Sequence, residues 1–214
     1  KAIQGLYPLG SIFKIVTTYA GLELGVLDYE TTHVCKGFYD LLGRKKLPDP
    51  DEVSQFKTIF KCWKEGGHGT MQLHDAIRES CNVFFYNVGV EVGVDELAHY
   101  AMMFGLGKKT EIGLLNEKEG LMPSSAWKQQ TLKEPWYRGE TPLLAIGQGY
   151  LTVTPLQVIN MVNILANDGL WVPPKLYAGQ WTPAHVKLPL NPKYLERIRK
   201  GMVAVVNELG GTAG

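Results

Sequence analysis

Apolar residues recur at helical spacing over most of the chain, and glycines and prolines separate the helical segments. The run Ser11–Leu24 carries few charges, which predicts a helix buried on most sides with Ser11 as its N-cap. The segment Thr154–Gln157 places a cap, a proline at the first helical position and a capping-box glutamine before an apolar run. Asn191 and Pro192 open another segment with apolar residues at the same spacing. The pattern therefore predicts a mainly helical chain.

Strand patterns are scarce, and no set of alternating segments is large enough for a complete sheet. Residues 35–69 interrupt the helical pattern with glycines, prolines and a basic cluster, which predicts an irregular, exposed excursion. A further helix is predicted from Asp95, as its cap, to Phe104, with Gly105 as the stop. Because a complete domain with so little sheet is unusual, we expect a piece of a larger domain.

Composition excludes several classes of protein. The chain has 214 residues, 45% of them hydrophobic, so it is expected to bury a core rather than to stay disordered. Its 22 basic and 21 acidic residues give a net charge of +1, which excludes a strongly basic nucleic-acid binder. No apolar run reaches the roughly 18–20 residues that span a bilayer. The chain begins with Lys1 rather than Met, which also indicates part of a longer protein.

The most reactive local pattern is a Ser-x-x-Lys pair at a helix start, formed by Ser11 and Lys14. Residues three apart share a helix face, so the Lys14 amine can reach the Ser11 hydroxyl. Burial and the helix dipole both disfavour an ammonium, and a neutral Lys14 could act as a base for Ser11 as nucleophile. The Ser11 N–H could donate to an oxyanion. The alternative is a capping serine beside a lysine that extends into solvent.

A second candidate is the Ser80-Cys81-Asn82 turn between two helical segments. The hydroxyl of Ser80 and the amide of Asn82 can pass a proton and hold a substrate carbonyl when they face the same cleft. The alternative is an ordinary turn between helices that uses serine and asparagine for its backbone geometry.

Taken together, these motifs resemble those of the class B penicillin-binding transpeptidases, and most closely the penicillin-binding protein 2 type. Residues 5–14 resemble the family's nucleophile motif, and residues 79–86 resemble its second motif and the following helix. Further stretches resemble the same family in the same order along nearly the whole chain, at 63–70, 104–110, 121–124, 135–141 and 146–157.

The resemblance implies an α+β fold of the serine β-lactamase/DD-peptidase type, with residues 1–214 as part of the transpeptidase domain. Most strands of the family's sheet are missing, and the helical part is present. It implies a peptidoglycan D,D-transpeptidase of cell-wall synthesis. Ser11 would be the nucleophile, Lys14 its base and Ser80 a proton relay, and Asn82 would bind the stem peptide.

The implied partners are peptidoglycan stem peptides, β-lactam antibiotics, and the glycosyltransferase and scaffold proteins of an elongation complex. Neither a cofactor nor a nucleic acid is implied. The expected location is the inner membrane, with a single-pass anchor outside this chain and the catalytic domain in the periplasm.

One departure from the family pattern is large, because the third motif, Lys-Thr-Gly followed by Thr or Ser, does not occur in the chain. Truncation after Gly214 accounts for its absence, so we expect the 214 residues alone to be inactive. A β-lactamase is one alternative, but the Glu-x-x-Leu-Asn pattern of class A enzymes is missing. A non-catalytic scaffold or sensor with the same fold is the other alternative, against which the four intact site residues argue.

The sequence allows more than one role for the cysteines. Cys35 and Cys62 flank the excursion and could form a disulfide in an oxidising periplasm. A zinc site that uses Asp49, Asp51 or His68 is an alternative, but no ligand spacing supports it, so the sequence favours a disulfide or free thiols. Cys81 is interpreted as a small buried side chain.

Overall fold

The computed structural model describes residues 1–44 and 58–213, and this part of the chain contains eight α-helices and six short strands. The helices are α1 (Lys14–Glu23), α2 (Leu73–Arg78), α3 (Asn82–Val92), α4 (Val94–Met103), α5 (Ser125–Thr131), α6 (Thr141–Ala145), α7 (Pro155–Ala166) and α8 (Pro192–Asn207). The strands are β1 (Thr32–Cys35), β2 (Phe38–Asp40), β3 (Ile59–Lys61), β4 (Gly69–Gln72), β5 (Leu170–Trp171) and β6 (Val186–Lys187).

Helix α1 lies at the centre of the core, and every residue from Lys14 to Leu22 is buried. It packs against α3, α4 and α8, as the nearly uncharged sequence of this segment predicts. The Tyr19 ring lies edge-on to Phe104, and its hydroxyl donates to Glu23 and accepts from the Asn191 N–H. This tyrosine therefore ties the central helix to the start of α8.

Helix α6 packs closely on α3 and also contacts α1. A Cβ at Gly89 would overlap the Ala145 side chain, so glycine is needed where these two helices approach most closely. The Thr17 hydroxyl donates to the Ala145 carbonyl at 2.8 Å. These contacts fix α6 against the helix that follows Ser11.

A buried ion pair holds the segment before α6. The Nζ of Lys128 lies 2.6 Å from a carboxylate oxygen of Glu140 and 4.3 Å from the centre of the Tyr137 ring. The Lys128 side chain is 1% exposed, and Glu140 also accepts from the Tyr137 N–H. The pair therefore anchors α5 to the turn that leads into α6.

Some helix boundaries follow the sequence signals, and others do not. The capping box of Thr154 and Gln157 is confirmed, and a helix opens at Pro192, as predicted, with Asn191 as its N-cap. The prediction of Asp95 as a cap is wrong, because α4 begins at Val94, one residue earlier, after Gly93 as N-cap. The Asp95 carboxylate instead accepts from the N–H and hydroxyl of Ser125 on α5.

The strands of the described residues form three separate antiparallel pairs, which agrees with the expectation of no complete sheet. Strand β1 pairs with β4, β2 with β3 and β5 with β6, and the register places Cys35 opposite Gly69 and Phe38 opposite Lys61. The excursion at 35–69 is therefore more regular than predicted at both of its ends. Asp49, Asp51 and most of the basic cluster lie outside the described residues.

No helix in the described part of the chain combines the length and the apolar character that crossing a bilayer requires.

Candidate active site

Ser11 lies in a short 3₁₀ turn, Gly10–Phe13, that leads directly into α1. The prediction that Ser11 caps the helix is wrong, because the N-cap of this turn is Leu9 and no side chain makes a capping hydrogen bond. Within residues 1–44 and 58–213, no hydrogen bond involves the Ser11 hydroxyl. The hydroxyl is therefore available to a substrate in the adjoining groove.

Lys14 opens α1 one turn after Ser11, and it does not extend into solvent. The side chain is buried, and Nζ donates to the Ser80 carbonyl at 2.8 Å, to the Ser80 hydroxyl at 2.9 Å and to Asn82 Oδ1 at 2.7 Å. An ammonium has three donors, and these three acceptors satisfy all of them. The Lys14 amine thus connects the start of α1 to the Ser80 turn, which lies more than sixty positions later in the chain.

Burial sets the protonation of this amine. The three neutral acceptors favour the ammonium, but removal from water is the larger effect and lowers the pKa of Lys14 from 10.5 to about 8. The thiols of Cys62 and Cys81 oppose this change to a smaller extent. A lysine with this pKa is neutral often enough near neutral pH to accept a proton.

Ser80 occupies a strained position between α2 and α3. Its φ of 50° lies in the left-handed region, which is uncommon for a residue other than glycine. The N–H groups of Ser80 and Cys81 donate to the carbonyls of Ile77 and Ala76, so the chain turns tightly around the end of α2. This turn places Asn82 at the start of α3, with its side chain beside Lys14.

An open groove of about 650 Å³ contains Ser11, Ser80 and Asn82, and Gly210–Thr212 form its other side. Trp63 also lines the groove, although the sequence interpretation gave it no role of its own. Its indole N–H donates to the carbonyls of Glu79 and Ser80 at 3.1 and 3.0 Å. The sequence signals for Trp63 are its place just before the glycine-rich turn at 66–69 and its position at the start of the family-like stretch 63–70.

Gly147 packs against the 3₁₀ turn that carries Ser11. Its carbonyl accepts from the Gly10 N–H at 2.9 Å, and a Cβ at Gly147 would overlap the Gly10 carbonyl oxygen. The φ of Gly147 is also positive, at 75°. Glycine is therefore needed at position 147, where the chain approaches the turn that carries Ser11.

Comparison with known proteins identifies the family. The sequence model of the Penicillin binding protein transpeptidase domain matches residues 1–214. The chain belongs to the penicillin-binding protein transpeptidase family.

Individual relatives in this family are similar over the whole chain. Peptidoglycan D,D-transpeptidase MrdA of Escherichia coli is 34% identical over 223 residues, which cover 100% of this chain and 33% of the relative. The structure of Pseudomonas aeruginosa PBP2 in complex with WCK 5153 is 34% identical with a TM-score of 0.86, covering 99% of this chain and 47% of that one. Helicobacter pylori PBP2, in a complex with MreC, is 33% identical with a TM-score of 0.85, and the match covers 99% of this chain and 37% of that one.

These similarities confirm the predicted family and fold. The chain spans about a third of the length of the Escherichia coli relative. The few short strands agree with the expectation that most of the transpeptidase sheet is not in this chain.

The chain also brings together four side chains that can hold a metal. The ligand atoms of Cys35, Cys62, His68 and Cys81 all lie within 4.8 Å of one another. The disulfide considered for Cys35 and Cys62 is absent, since all three cysteines are free thiols. The sequence allowed a zinc site of Cys35, Cys62 and His68 but did not favour it, because no compact ligand spacing supports it, and that alternative did not include Cys81.

The geometry of the cluster fits zinc. A tetrahedral zinc ion bound by sulfur and nitrogen at its usual bond lengths separates the two ligand atoms by about 3.5 Å. The Sγ atoms of Cys35 and Cys62 each lie 3.5 Å from His68 Nδ1. Three thiols and one imidazole are a donor set typical of structural zinc sites.

Local backbone features form this cluster. A Cβ at Gly67 would overlap the Cys35 carbonyl oxygen, so the glycine turn allows His68 to approach the end of β1. Cys62 lies near the start of α3, where a hydrogen bond from Cys81 and backbone N–H groups lower its pKa despite partial burial. The cluster would thus hold a metal directly behind the Ser80–Asn82 turn.

Proposed function

We propose that this chain is the acyl-transfer part of a peptidoglycan D,D-transpeptidase of the PBP2 type, which cross-links stem peptides and is inhibited by β-lactams. One observation carries the proposal: a buried lysine joins Ser80 to Asn82 at the edge of the groove that holds the free hydroxyl of Ser11. A capping serine beside a solvated lysine, the alternative reading of the motif, does not account for this arrangement.

The first half-reaction transfers the donor peptide to the enzyme. The Ser11 oxygen attacks the carbonyl carbon of the penultimate D-Ala, and its proton passes to neutral Lys14. As the amide bond breaks, Ser80 delivers a proton to the departing D-Ala amine, and an ester on Ser11 remains. The hydrogen bond from Lys14 to Ser80 supports this relay, because it connects the base to the acid.

Asn82 is suited to hold the donor peptide. Its Oδ1 accepts from Lys14, so the Nδ2 amide group remains as the donor for a substrate carbonyl. In the second half-reaction the amine of another stem peptide attacks the ester. It loses its proton to the Lys14–Ser80 pair, which passes a proton to the Ser11 oxygen as the ester bond breaks, so the free serine is restored. No step requires a metal or an organic cofactor.

The proposed partners follow from relatives. A β-lactam resembles the D-Ala-D-Ala end of the donor, so its carbonyl would form a long-lived ester on Ser11. The complex of Helicobacter pylori PBP2 with MreC supports a scaffold partner for this protein. We extend the proposal to an elongation-complex glycosyltransferase, an inner-membrane anchor outside this chain and a periplasmic location for residues 1–214.

Labelling of the full-length protein by a fluorescent penicillin tests the proposal. We expect one label per molecule, lost in Ser11→Ala and retained in a Thr212→Ser control at the groove edge. An ester that persists for minutes to hours indicates a transpeptidase, whereas rapid turnover would indicate a β-lactamase. Labelling that survives in Ser11→Ala would contradict the proposal, and labelling without any cross-linking of stem peptides would favour the scaffold.

A further inference from the structure

The two sides of the groove belong to different elements of the fold. Ser80 follows α2 on one side, and Gly210–Thr212 follow α8 on the other. Helices α2 and α8 pack closely, because the Ile77 side chain fills the space that a Cβ at Gly201 would need. The distance across the groove therefore depends on how the chain after α8 is fixed to α2.

Glu208 is the first residue after α8, and its carboxylate reaches back to α2. The Nε2 atom of His74 lies 3.2 and 3.0 Å from the two carboxylate oxygens, and an Nη atom of Arg78 lies 3.4 Å from one of them. His74 and Arg78 are four positions apart in α2 and share one face of that helix. Hydrogen bonds from His74 and, to a smaller extent, Arg78 lower the pKa of the Glu208 carboxyl, so the ionised group accepts from both residues.

Arg78 extends this connection to the Ser80 side of the groove. Its guanidinium also binds the carboxylates of Asp75 at 3.0 Å and Glu79 at 2.8 Å, and Glu79 immediately precedes Ser80. A single set of charges on α2 therefore joins the turn that carries Ser80 to the residue that follows α8.

The chain beyond Glu208 turns back sharply toward the end of α8. The Gly211 N–H donates to the Glu208 carbonyl at 3.0 Å, and the Ala213 N–H donates to the Val205 carbonyl at 3.1 Å. A Cβ at Gly211 would overlap the Val205 carbonyl oxygen, so glycine is needed for this close approach. Because the turn is short and closed by these hydrogen bonds, a displacement of Glu208 would carry the groove edge with it.

The contacts of Glu208 are too exposed to contribute much to overall stability. The Glu208 side chain is 47% exposed and that of His74 is 43% exposed, and ion pairs with such exposure add little to the free energy of unfolding. The next residue, Leu209, is 98% exposed and does not hold the turn in place by packing. The pair is therefore suited to set the position of the groove edge rather than to stabilise the fold.

We propose that Glu208 is a positioning residue for the donor peptide. By binding His74 and Arg78, it holds Gly210–Thr212 at a fixed distance from Ser80, so that a ligand contacts both sides of the groove. This inference rests on the proposed function, in which the groove binds the stem peptide. Glu208 itself borders a separate surface depression with His74, so its effect on the reaction passes through the groove edge and falls on ligand binding.

Acylation of the full-length protein by a penicillin at several concentrations, followed by stopped flow, separates binding from the chemical step. In Glu208→Ala we expect the penicillin concentration at half the maximal acylation rate to rise about three- to tenfold, and the maximal rate to change less than about twofold. Glu208→Gln, whose amide oxygen still accepts hydrogen bonds, should lie between this variant and the wild type. Glu196→Ala is the matched control, since it breaks an exposed pair with Lys200 within α8 and should leave both values unchanged.

A second variant tests whether the effect runs through α2. His74→Ala removes one of the two donors to Glu208, so it should raise the half-saturating concentration less than Glu208→Ala does. Adding His74→Ala to Glu208→Ala should cause no further change, because the two residues act through the same contact. Effects that simply multiply in the double variant would contradict this connection.

Hydrogen exchange reports the groove edge without any reaction. Peptides that contain the Gly211 and Ala213 N–H groups should exchange about tenfold faster in Glu208→Ala than in the wild type, while peptides from α1 keep their rates. Unchanged exchange at the groove edge would overturn the inference.

The remaining outcomes separate this inference from the proposed function. Equal half-saturating concentrations in the wild type and Glu208→Ala, or a loss confined to the maximal rate, would overturn the inference while Ser11 is still labelled. A Glu208→Ala variant that fails to fold would overturn it as well, because an exposed pair should not be required for folding. Wild-type protein that is not labelled at Ser11 would refute the proposed function, and hydrogen exchange would still decide whether Glu208 holds the groove edge.

Discussion

The pH dependence of acylation follows from the burial of Lys14. Its pKa is lowered from 10.5 to about 8, which corresponds to a penalty of about 3 kcal/mol on the ammonium. At pH 7 about one molecule in ten then carries neutral Lys14, compared with about one in 3,000 for an ordinary lysine. Acylation by a penicillin is therefore expected to rise about fifty-fold from pH 6 to pH 8 and less than about twofold from pH 8 to pH 9.

Stopped-flow measurement of the acylation rate of the full-length protein tests this profile, with a penicillin whose carboxylate stays ionised throughout. Lys14→Arg is the matched control, since a guanidinium stays charged over this range and should give a slow, flat profile. A wild-type profile that is flat between pH 6 and pH 8, or that continues to rise tenfold per unit above pH 9, would refute a base with this pKa.

The lowered pKa of Lys14 also predicts how the free energy of unfolding changes with pH. The folded pKa of Lys14 lies below the unfolded value, so between about pH 8 and 10.5 the unfolded chain binds more protons than the folded protein. The contribution of Lys14 to the free energy of unfolding therefore increases as pH rises through this window.

Three further changes test the supports of the site. Gly147→Ala should lower the free energy of unfolding by about 1–3 kcal/mol more than Gly149→Ala and slow acylation. Both glycines have positive φ, but only the Gly147 Cβ overlaps backbone, and equal losses would contradict this contact. Chemical denaturation of Ser80→Gly should give a free energy of unfolding about 1 kcal/mol higher than that of Ser80→Ala, because glycine adopts the positive φ without strain. Both variants lose the hydroxyl that relays the proton. Lys128→Met should lower the melting temperature far more than Lys200→Met, which breaks an exposed pair, and similar shifts would argue against the buried ion pair.

Much of the helical framework could be predicted because its signals are local. The capping box at Thr154 depends on residues within one turn, and the burial of α1 follows from the lack of charges between Lys14 and Leu22. The Asp95 cap was predicted wrongly because a distant partner competes for the carboxylate. Ser125 lies in another helix, and no local pattern contains that contact.

The candidate site was predictable in its residue types but not in its connections. The spacing of Ser11 and Lys14 predicts a shared helix face, whereas the structure gives Lys14 its three hydrogen bonds with the distant Ser80 turn. The place of Trp63 in the site could not be predicted for the same reason, because its hydrogen-bond partners lie on the turn after α2. Only the tertiary fold brings such residues together.

The metal cluster shows the limit of spacing rules. Zinc ligands are recognised in a sequence when pairs of them are two to four residues apart, as in C-x-x-C. Here Cys35 ends β1, Cys62 and His68 lie at the two ends of the loop between β3 and β4, and Cys81 precedes α3, so the closest two ligands are six positions apart. The glycine turn before His68 is the one local signal, and it indicates a tight turn without indicating its neighbours.

A crystal structure of the full-length protein after reaction with a penicillin tests the central claim most directly. The account predicts an ester between the Ser11 oxygen and the opened lactam carbonyl, with the Lys14 amine still between Ser80 and Asn82 and the Asn82 amide on the side chain of the penicillin. An adduct on another residue, or a Lys14 side chain turned into solvent away from Ser80, would contradict it.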